Sequence, residues 1–292
     1  MSSYPSSPPQ GVEQHCYRHA DRRAGVTCQR CNRPICPSCM VSASVGFQCP
    51  ECAKSGAKQQ RLVDAFKQTT TPRLTYALIA VNVLIYSIGV SSSASIGGQY
   101  GSFEGRFGLY RAAVHYGEWW RIFTSGFLHA SVLHLGFNMF ALYMIGGFLE
   151  RIIGPVKFAL IYAVSLIGGS LGVILLAGPR DLTVGASGAI FGVFGAFAVL
   201  QLSRGMNPMQ SGIGSTILLN LVITFAVPGI SIGGHLGGLL TGVACAALLI
   251  GINPTQARDR MSKLRIYGPA VAVLGVALLG ASLAAAQALG VG

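Results

Sequence analysis

Long apolar runs separated by short polar ones dominate the chain from residue 74 onward. They cover 74–90, 123–149, 158–177, 187–202, 212–227, 231–250 and 266–289, and no Asp, Glu, Lys or Arg occurs between 205 and 257. A helix needs roughly 20 apolar residues to cross a bilayer, and in lipid only helices or closed barrels satisfy their own backbone. The two-residue alternation of barrel strands is missing, so the pattern predicts an all-α polytopic membrane protein of seven helices. The fourth and fifth runs are short, but neighbours can bury a short helix, and 205–257 holds two passes joined at Pro228-Gly229.

Composition agrees, with 51% hydrophobic and 10% charged residues among 292. The net charge of +12 is spread through the loops between the runs, so no nucleic-acid partner is expected. Topology accounts for it better. Lys54, Lys58, Arg61, Lys67 and Arg73 precede the first run, Arg151 and Lys157 follow the second, Arg204 the fourth, and Arg258, Arg260, Lys263 and Arg265 the sixth. All fall on one side if the N-terminus is cytoplasmic, which makes the C-terminus extracytoplasmic. The other side carries Arg106, Arg111, Arg121 and Arg180, offset by Glu104, Glu118 and Asp181. The expected setting is the plasma membrane of a prokaryote. Residues 1–14 have neither the basic start nor the apolar core of a secretory signal and are expected to be disordered.

Seven of the eight cysteines lie between 16 and 52, as Cys16-x2-His19, Cys28-x2-Cys31, Cys36-x2-Cys39 and Cys49-x2-Cys52. Thiolates with one imidazole suit tetrahedral zinc, and a two-residue gap lets one turn present two ligands to one ion. Two structural zinc ions are implied. The pairs either alternate, with Cys16, His19, Cys36 and Cys39 on one ion and Cys28, Cys31, Cys49 and Cys52 on the other, or are used in sequential neighbours. The spacing resembles B-box-type zinc fingers, although Cys49 and Cys52 stand where that family usually has histidine. Cys245, alone in the sixth run, reads as packing.

Polar groups inside apolar runs are costly unless used. Ser187 heads the fourth run within Gly185-Ala186-Ser187-Gly188, and His235 heads the sixth. A serine needs a base to become nucleophilic, and a carbonyl under attack needs prearranged donors for its developing charge. A serine at a helix start can lend its own backbone N–H. His129, His134 and Asn138 lie in the second run, and the four-residue spacing puts His134 and Asn138 on one face, each able to donate an N–H. Gly238 and Gly242 follow His235 on one face, and Gly188, Gly192 and Gly195 follow Ser187, so the two helices can approach closely.

These residues resemble the rhomboid family of intramembrane serine proteases. The motifs are Trp119-Trp120-Arg121, His134-x3-Asn138, Gly185-x-Ser187-Gly188 and His235-x2-Gly238-x3-Gly242, across residues 74 to about 250. The resemblance implies a six-helix core with Ser187 as nucleophile and His235 as base and then acid. It implies His134, Asn138 and the Ser187 N–H as oxyanion hole, and no acidic third member. Two positions depart from it: Phe191 stands where many relatives carry tyrosine against the histidine, and Gly234 where alanine is frequent. The loop 91–122 corresponds to the family's partly embedded first loop.

The expected layout is 1–14 disordered, 15–53 a double-zinc module, 54–72 a basic linker, 73–252 a rhomboid six-helix core, and 253–292 a loop with a seventh helix. The partners implied are transmembrane protein substrates, the lipid bilayer and a cytoplasmic protein for the zinc module. A catalytically silent, client-binding rhomboid-like protein is the rival reading. Metal-dependent and aspartyl proteolysis lack an H-E-x-x-H motif and an intramembrane aspartate.

Overall fold

Each apolar run becomes a helix in the computed structural model, which describes residues 14–43, 45–54, 71–93, 102–251 and 260–291. The expectations for 1–13, for most of 54–72 and for 252–259 lie outside the described residues. The helices are α1 (Arg73–Ser93), α2 (Val132–Ile153), α3 (Pro155–Leu176), α4 (Ser187–Leu202), α5 (Ile213–Ala226), α6 (Ile232–Leu249) and α7 (Arg260–Leu289). Five of them, α1, α2, α3, α6 and the 266–289 part of α7, are long and apolar enough to cross a membrane, and α4 and α5 are shorter. The architecture is an all-α polytopic bundle of six helices with a seventh packed on α3.

Two boundaries differ from the hydrophobic pattern. α2 begins at Val132, nine residues after the start of its apolar run, because the approach folds as Arg121–Thr124 helix, a Ser125–Phe127 3-10 turn and extended chain at Leu128. Ser131 then starts α2 as its N-cap, accepting from the His134 N–H at 3.2 Å. No Asp, Glu, Lys or Arg interrupts 123–149, so charge does not mark the switch. α7 begins at Arg260 and carries Pro269 inside it.

α4 forms the centre, with every residue from Gly188 to Ala196 buried. It packs against α3, α6, α5 and the π-helical turn Leu142–Gly146 of α2. The outer helices turn large apolar side chains such as Leu84, Phe137, Leu219 and Val276 outward, as membrane-spanning helices do.

Where α6 meets α3 and α4, backbone touches backbone. A methyl group at Gly238 would lie 1.9 Å from the Gly188 carbonyl oxygen, one at Gly242 2.2 Å from that of Gly192, and one at Gly233 2.1 Å from that of Gly172. No side chain fits at these positions. Lipid is as apolar as a helix surface, so close packing of small residues supplies the attraction that water supplies elsewhere.

Two buried charges sit at helix ends. Glu150, near the end of α2, accepts from the Leu74 N–H at 3.0 Å and from the Thr75 N–H and hydroxyl at 2.7 Å each, capping α1. Lys157, in the first turn of α3, donates to the Leu249 carbonyl at 2.9 Å, in the last turn of α6. Each sign is the one favoured by the helix end that it caps, the N-terminus of α1 and the C-terminus of α6. Counted above as a loop charge, Lys157 is a buried cap. Between α1 and α2, Arg121 is buried as well: it pairs with Glu118 at 2.6 Å and donates to the carbonyls of Gly105 and Gly108 at 2.8 and 2.6 Å.

The second unit, residues 14–54, is built from two hairpins. β1 (Val26–Thr27) pairs with β2 (Pro34–Ile35), and β3 (Val41–Ser42) with β4 (Phe47–Gln48), both antiparallel. Strands of two residues cannot make a core, and the buried centre is Ile35 surrounded by cysteines.

Gly238→Leu should lower the unfolding temperature of the detergent-solubilised protein by at least the several degrees that overpacking by about 1–3 kcal/mol produces. Gly280→Ala, where an added Cβ meets nothing within 4 Å, should leave it unchanged.

Candidate active site and metal clusters

Ser187 is the first residue of α4 and His235 lies in the first turn of α6, so the glycine seam sets their separation. Ser187 Oγ and His235 Nε2 are 2.9 Å apart. The Phe191 ring, one turn into α4, stacks on the imidazole with centroids 4.0 Å apart and planes inclined by 16°. Phenylalanine thus supplies the aromatic face at this position. At Gly234 an added Cβ would meet only Ser231 and Val173 side-chain atoms at 3.1 Å and beyond, so glycine there is not forced by a backbone contact.

The N-terminus of α4 differs from those of α2 and α6. Ser131 and Ser231 cap α2 and α6 with their hydroxyls, whereas α4 starts after Ala186 with no side-chain cap. First-turn N–H groups of a helix have no intrahelical acceptor, so those at Ser187 and beyond remain available to an anionic oxygen.

His134 reaches the same point from α2. Gly185 has φ +134°, a conformation that favours glycine, and a Cβ there would sit 2.8 Å from His134 Nε2 and 3.6 Å from Ser187 Oγ. The absent side chain is therefore what lets the imidazole approach the serine. Ser187, His235, His134, Asn138, Phe191 and Thr224 line one cavity of about 900 Å³. Among the described residues Asn138 Nδ2 is buried without a partner, as are both ring nitrogens of His129. His129 sits in the approach to α2, its ring edge-on to His134 with centroids 5.0 Å apart.

Asp181 stays out of this arrangement, exposed and accepting from the Gly178 N–H at 2.8 Å. Sequence reading missed Thr224 of α5, whose Oγ1 lies 2.6 Å from His235 Nδ1. Nothing in the sequence marks it among the other hydroxyls of the apolar runs.

A hydroxyl hydrogen-bonded to a stacked imidazole, facing unpaired amide and N–H groups, is an arrangement suited to acyl transfer. Built inside a polytopic bundle, it defines a class of membrane proteins with an interior serine site. Residues 116–252 match the Rhomboid domain. The chain is 34% identical over 199 residues to the rhomboid protease GluP of Bacillus subtilis, an alignment covering 66% of this chain and 38% of that protein. It is 35% identical over 156 residues to YdcA of the same organism, named as a candidate rhomboid protease, covering 52% and 75%. To rhomboid-type serine protease 2 of Emericella nidulans it is 33% identical over 163 residues, 54% of this chain and 32% of that one. The chain belongs to the rhomboid family. It spans well under half the length of the first and third of these relatives.

In the N-terminal unit two sets of four side chains converge: Cys16, His19, Cys36 and Cys39, and Cys28, Cys31, Cys49 and Cys52, with ligand atoms within 4.8 Å of one another in each. The pairs alternate. His19 offers Nδ1, 3.4 Å from the sulfurs of Cys36 and Cys39, and Cys31 and Cys49 sulfurs are 3.7 Å apart. Four ligands at about 2.3 Å around a tetrahedral ion lie about 3.8 Å from each other, so either set can hold a metal. Burial opposes a thiolate at Cys16, but backbone hydrogen bonds outweigh it and hold its pKa at about 6; Cys28 is held at about 6 in the same way. Burial pushes Cys39 up to about 11 and Cys52 up to about 12. A cation at the centre would let all the thiols ionise together.

Asn138→Leu should leave thermal stability unchanged or raise it by up to about 1 kcal/mol, because the buried Nδ2 it removes has no partner to lose. Thermal unfolding in detergent reads this, and a loss beyond about 2 kcal/mol would show Asn138 to be a packing residue.

Proposed function

We propose that the chain is an intramembrane serine protease that cleaves peptide bonds in or near transmembrane helices of other membrane proteins. The observation that carries the reading is the 2.9 Å hydrogen bond between Ser187 Oγ and His235 Nε2 beside the uncapped start of α4. Ser187 Oγ attacks the scissile carbonyl carbon while its proton passes to His235 Nε2. The oxygen of the tetrahedral intermediate takes hydrogen bonds from the Ser187 N–H, Asn138 and His134. His235 then protonates the leaving amine, and water, deprotonated by His235, frees the acyl enzyme. A fully formed helix hides its carbonyls in its own hydrogen bonds, so the substrate segment must unwind locally to reach Ser187. The relatives named as proteases support this reading over that of a silent client-binding protein, as does the presence of both reacting groups.

The N-terminal clusters are proposed to hold two zinc ions. Each set brings four ligands and leaves no open position, which is the form of a structural site and not of a catalytic one. Thiolate clusters persist in a reducing compartment, in keeping with a cytoplasmic N-terminus, and the module is proposed to recruit or regulate a protein there.

Ser187→Ala and His235→Ala should each lower cleavage of a reconstituted single-span test protein by roughly a thousandfold or more. Cleavage at the wild-type rate in either variant would sink the assignment. Metal analysis of purified chain should return two zinc ions, and removing residues 1–60 should change abundance, cleavage or partner capture in cells. A zinc-free chain, or a deletion without effect, would remove the role given to the module.

A further inference from the structure

His235 uses both ring nitrogens. Nε2 faces Ser187 Oγ at 2.9 Å, and Nδ1 faces Thr224 Oγ1 at 2.6 Å. Thr224 is 2% exposed, and its hydroxyl donates to the Asn220 carbonyl at 2.7 Å, one turn earlier in α5. A hydroxyl has a single proton. With that proton committed to the carbonyl, what Thr224 presents to His235 is an oxygen lone pair, so Nδ1 must carry the hydrogen and Nε2 is left bare toward the serine.

We infer that Thr224 is a positioning residue that holds His235 in its Nδ1–H tautomer. The inference rests on the serine-protease reading above and adds to it the group that makes the imidazole a base on the correct side. The polar partners of the His235 side chain among the described residues are Ser187 and Thr224. The Nδ1–H to hydroxyl to carbonyl chain performs the orienting task that a carboxylate performs in soluble serine hydrolases, without placing a charge at membrane depth. When Nε2 takes the serine proton, the Nδ1–H bond remains and is strengthened by the charge on the ring. Thr224 comes from α5, whereas Ser187 and His235 come from α4 and α6. Phe191 holds the plane of the ring by stacking, and Thr224 fixes which nitrogen bears hydrogen.

The test uses the full chain in detergent and an alkyl fluorophosphonate, in which a Ser187 Oγ–P bond forms, the P–F bond breaks, fluoride leaves and the serine proton passes to His235. Thr224→Val keeps the shape and loses the hydroxyl, and Thr224→Ser keeps the hydroxyl. The limiting rate of labelling should fall roughly tenfold to a hundredfold in Thr224→Val, the size expected for losing a hydrogen bond to a group that gains charge. Half-saturation should stay within about twofold, and Thr224→Ser should label within about threefold of the wild-type rate, at unchanged unfolding temperature. Should Thr224→Val fail to fold, Thr224→Ala carries the same reading. A Thr224→Val or Thr224→Ala rate equal to wild type overturns the inference, and so does a Thr224→Ser rate as low as that of valine, which would assign the effect to packing. If instead Ser187→Ala labels as fast as wild type, the serine-protease reading itself is what has failed.

Discussion

The contact on which the bundle depends is the one between bare backbones along α6. At Gly233, Gly238 and Gly242 the neighbouring chain lies closer than any side chain allows, so α6 has one seat against α3 and α4. Seating α6 carries His235 to Ser187 and slides the imidazole over Phe191. Two helix starts from distant parts of the sequence are thereby fixed to hydrogen-bonding accuracy by contacts of backbone with backbone. The same closeness excludes lipid and leaves the polar groups in a cavity of their own.

Around that seam the polar groups at membrane depth differ in how far they are satisfied. Those that hold the fold are satisfied: Glu150 caps α1, Lys157 caps α6, and Arg121 gathers a carboxylate and two carbonyls in the loop before α2. In the cavity Ser187, His235 and Thr224 bond one another, while Asn138 Nδ2 has no partner among the described residues. An unpaired buried donor costs stability, and a site that binds an oxygen only during reaction needs such donors waiting.

Much of this was legible in the chain because a Ser, a His or an Asn stands out against apolar neighbours, and because the run lengths of α1, α3, α4, α5 and α6 agree with their helices. The start of α2 was passed over because no charge interrupts 123–149; its local signals were Thr124, Ser125 and His129, which thin the apolar run, and Ser131, three residues before His134. Thr224 was hidden for a different reason. A threonine in a membrane helix ordinarily bonds the carbonyl one turn back, and this one does so, while its second contact depends on where α6 lies. Lys157 read as a loop charge because a helix cap supplied from another segment leaves no spacing to recognise. In the N-terminal unit the spacing revealed the eight side chains that converge, and the fold of the two hairpins brings alternate pairs together.

The cap on α1 also bears on how the polypeptide is made. The amides at Leu74 and Thr75 find their acceptor in Glu150, which the ribosome adds some seventy-five residues later. Until then the amides of Leu74 and Thr75 lack the acceptor that they use in the finished bundle, and water or headgroups must serve. The two segments therefore become a finished hairpin only after both are synthesised, which makes the carboxylate a late latch in assembly, closing a gap that the first segment cannot close alone.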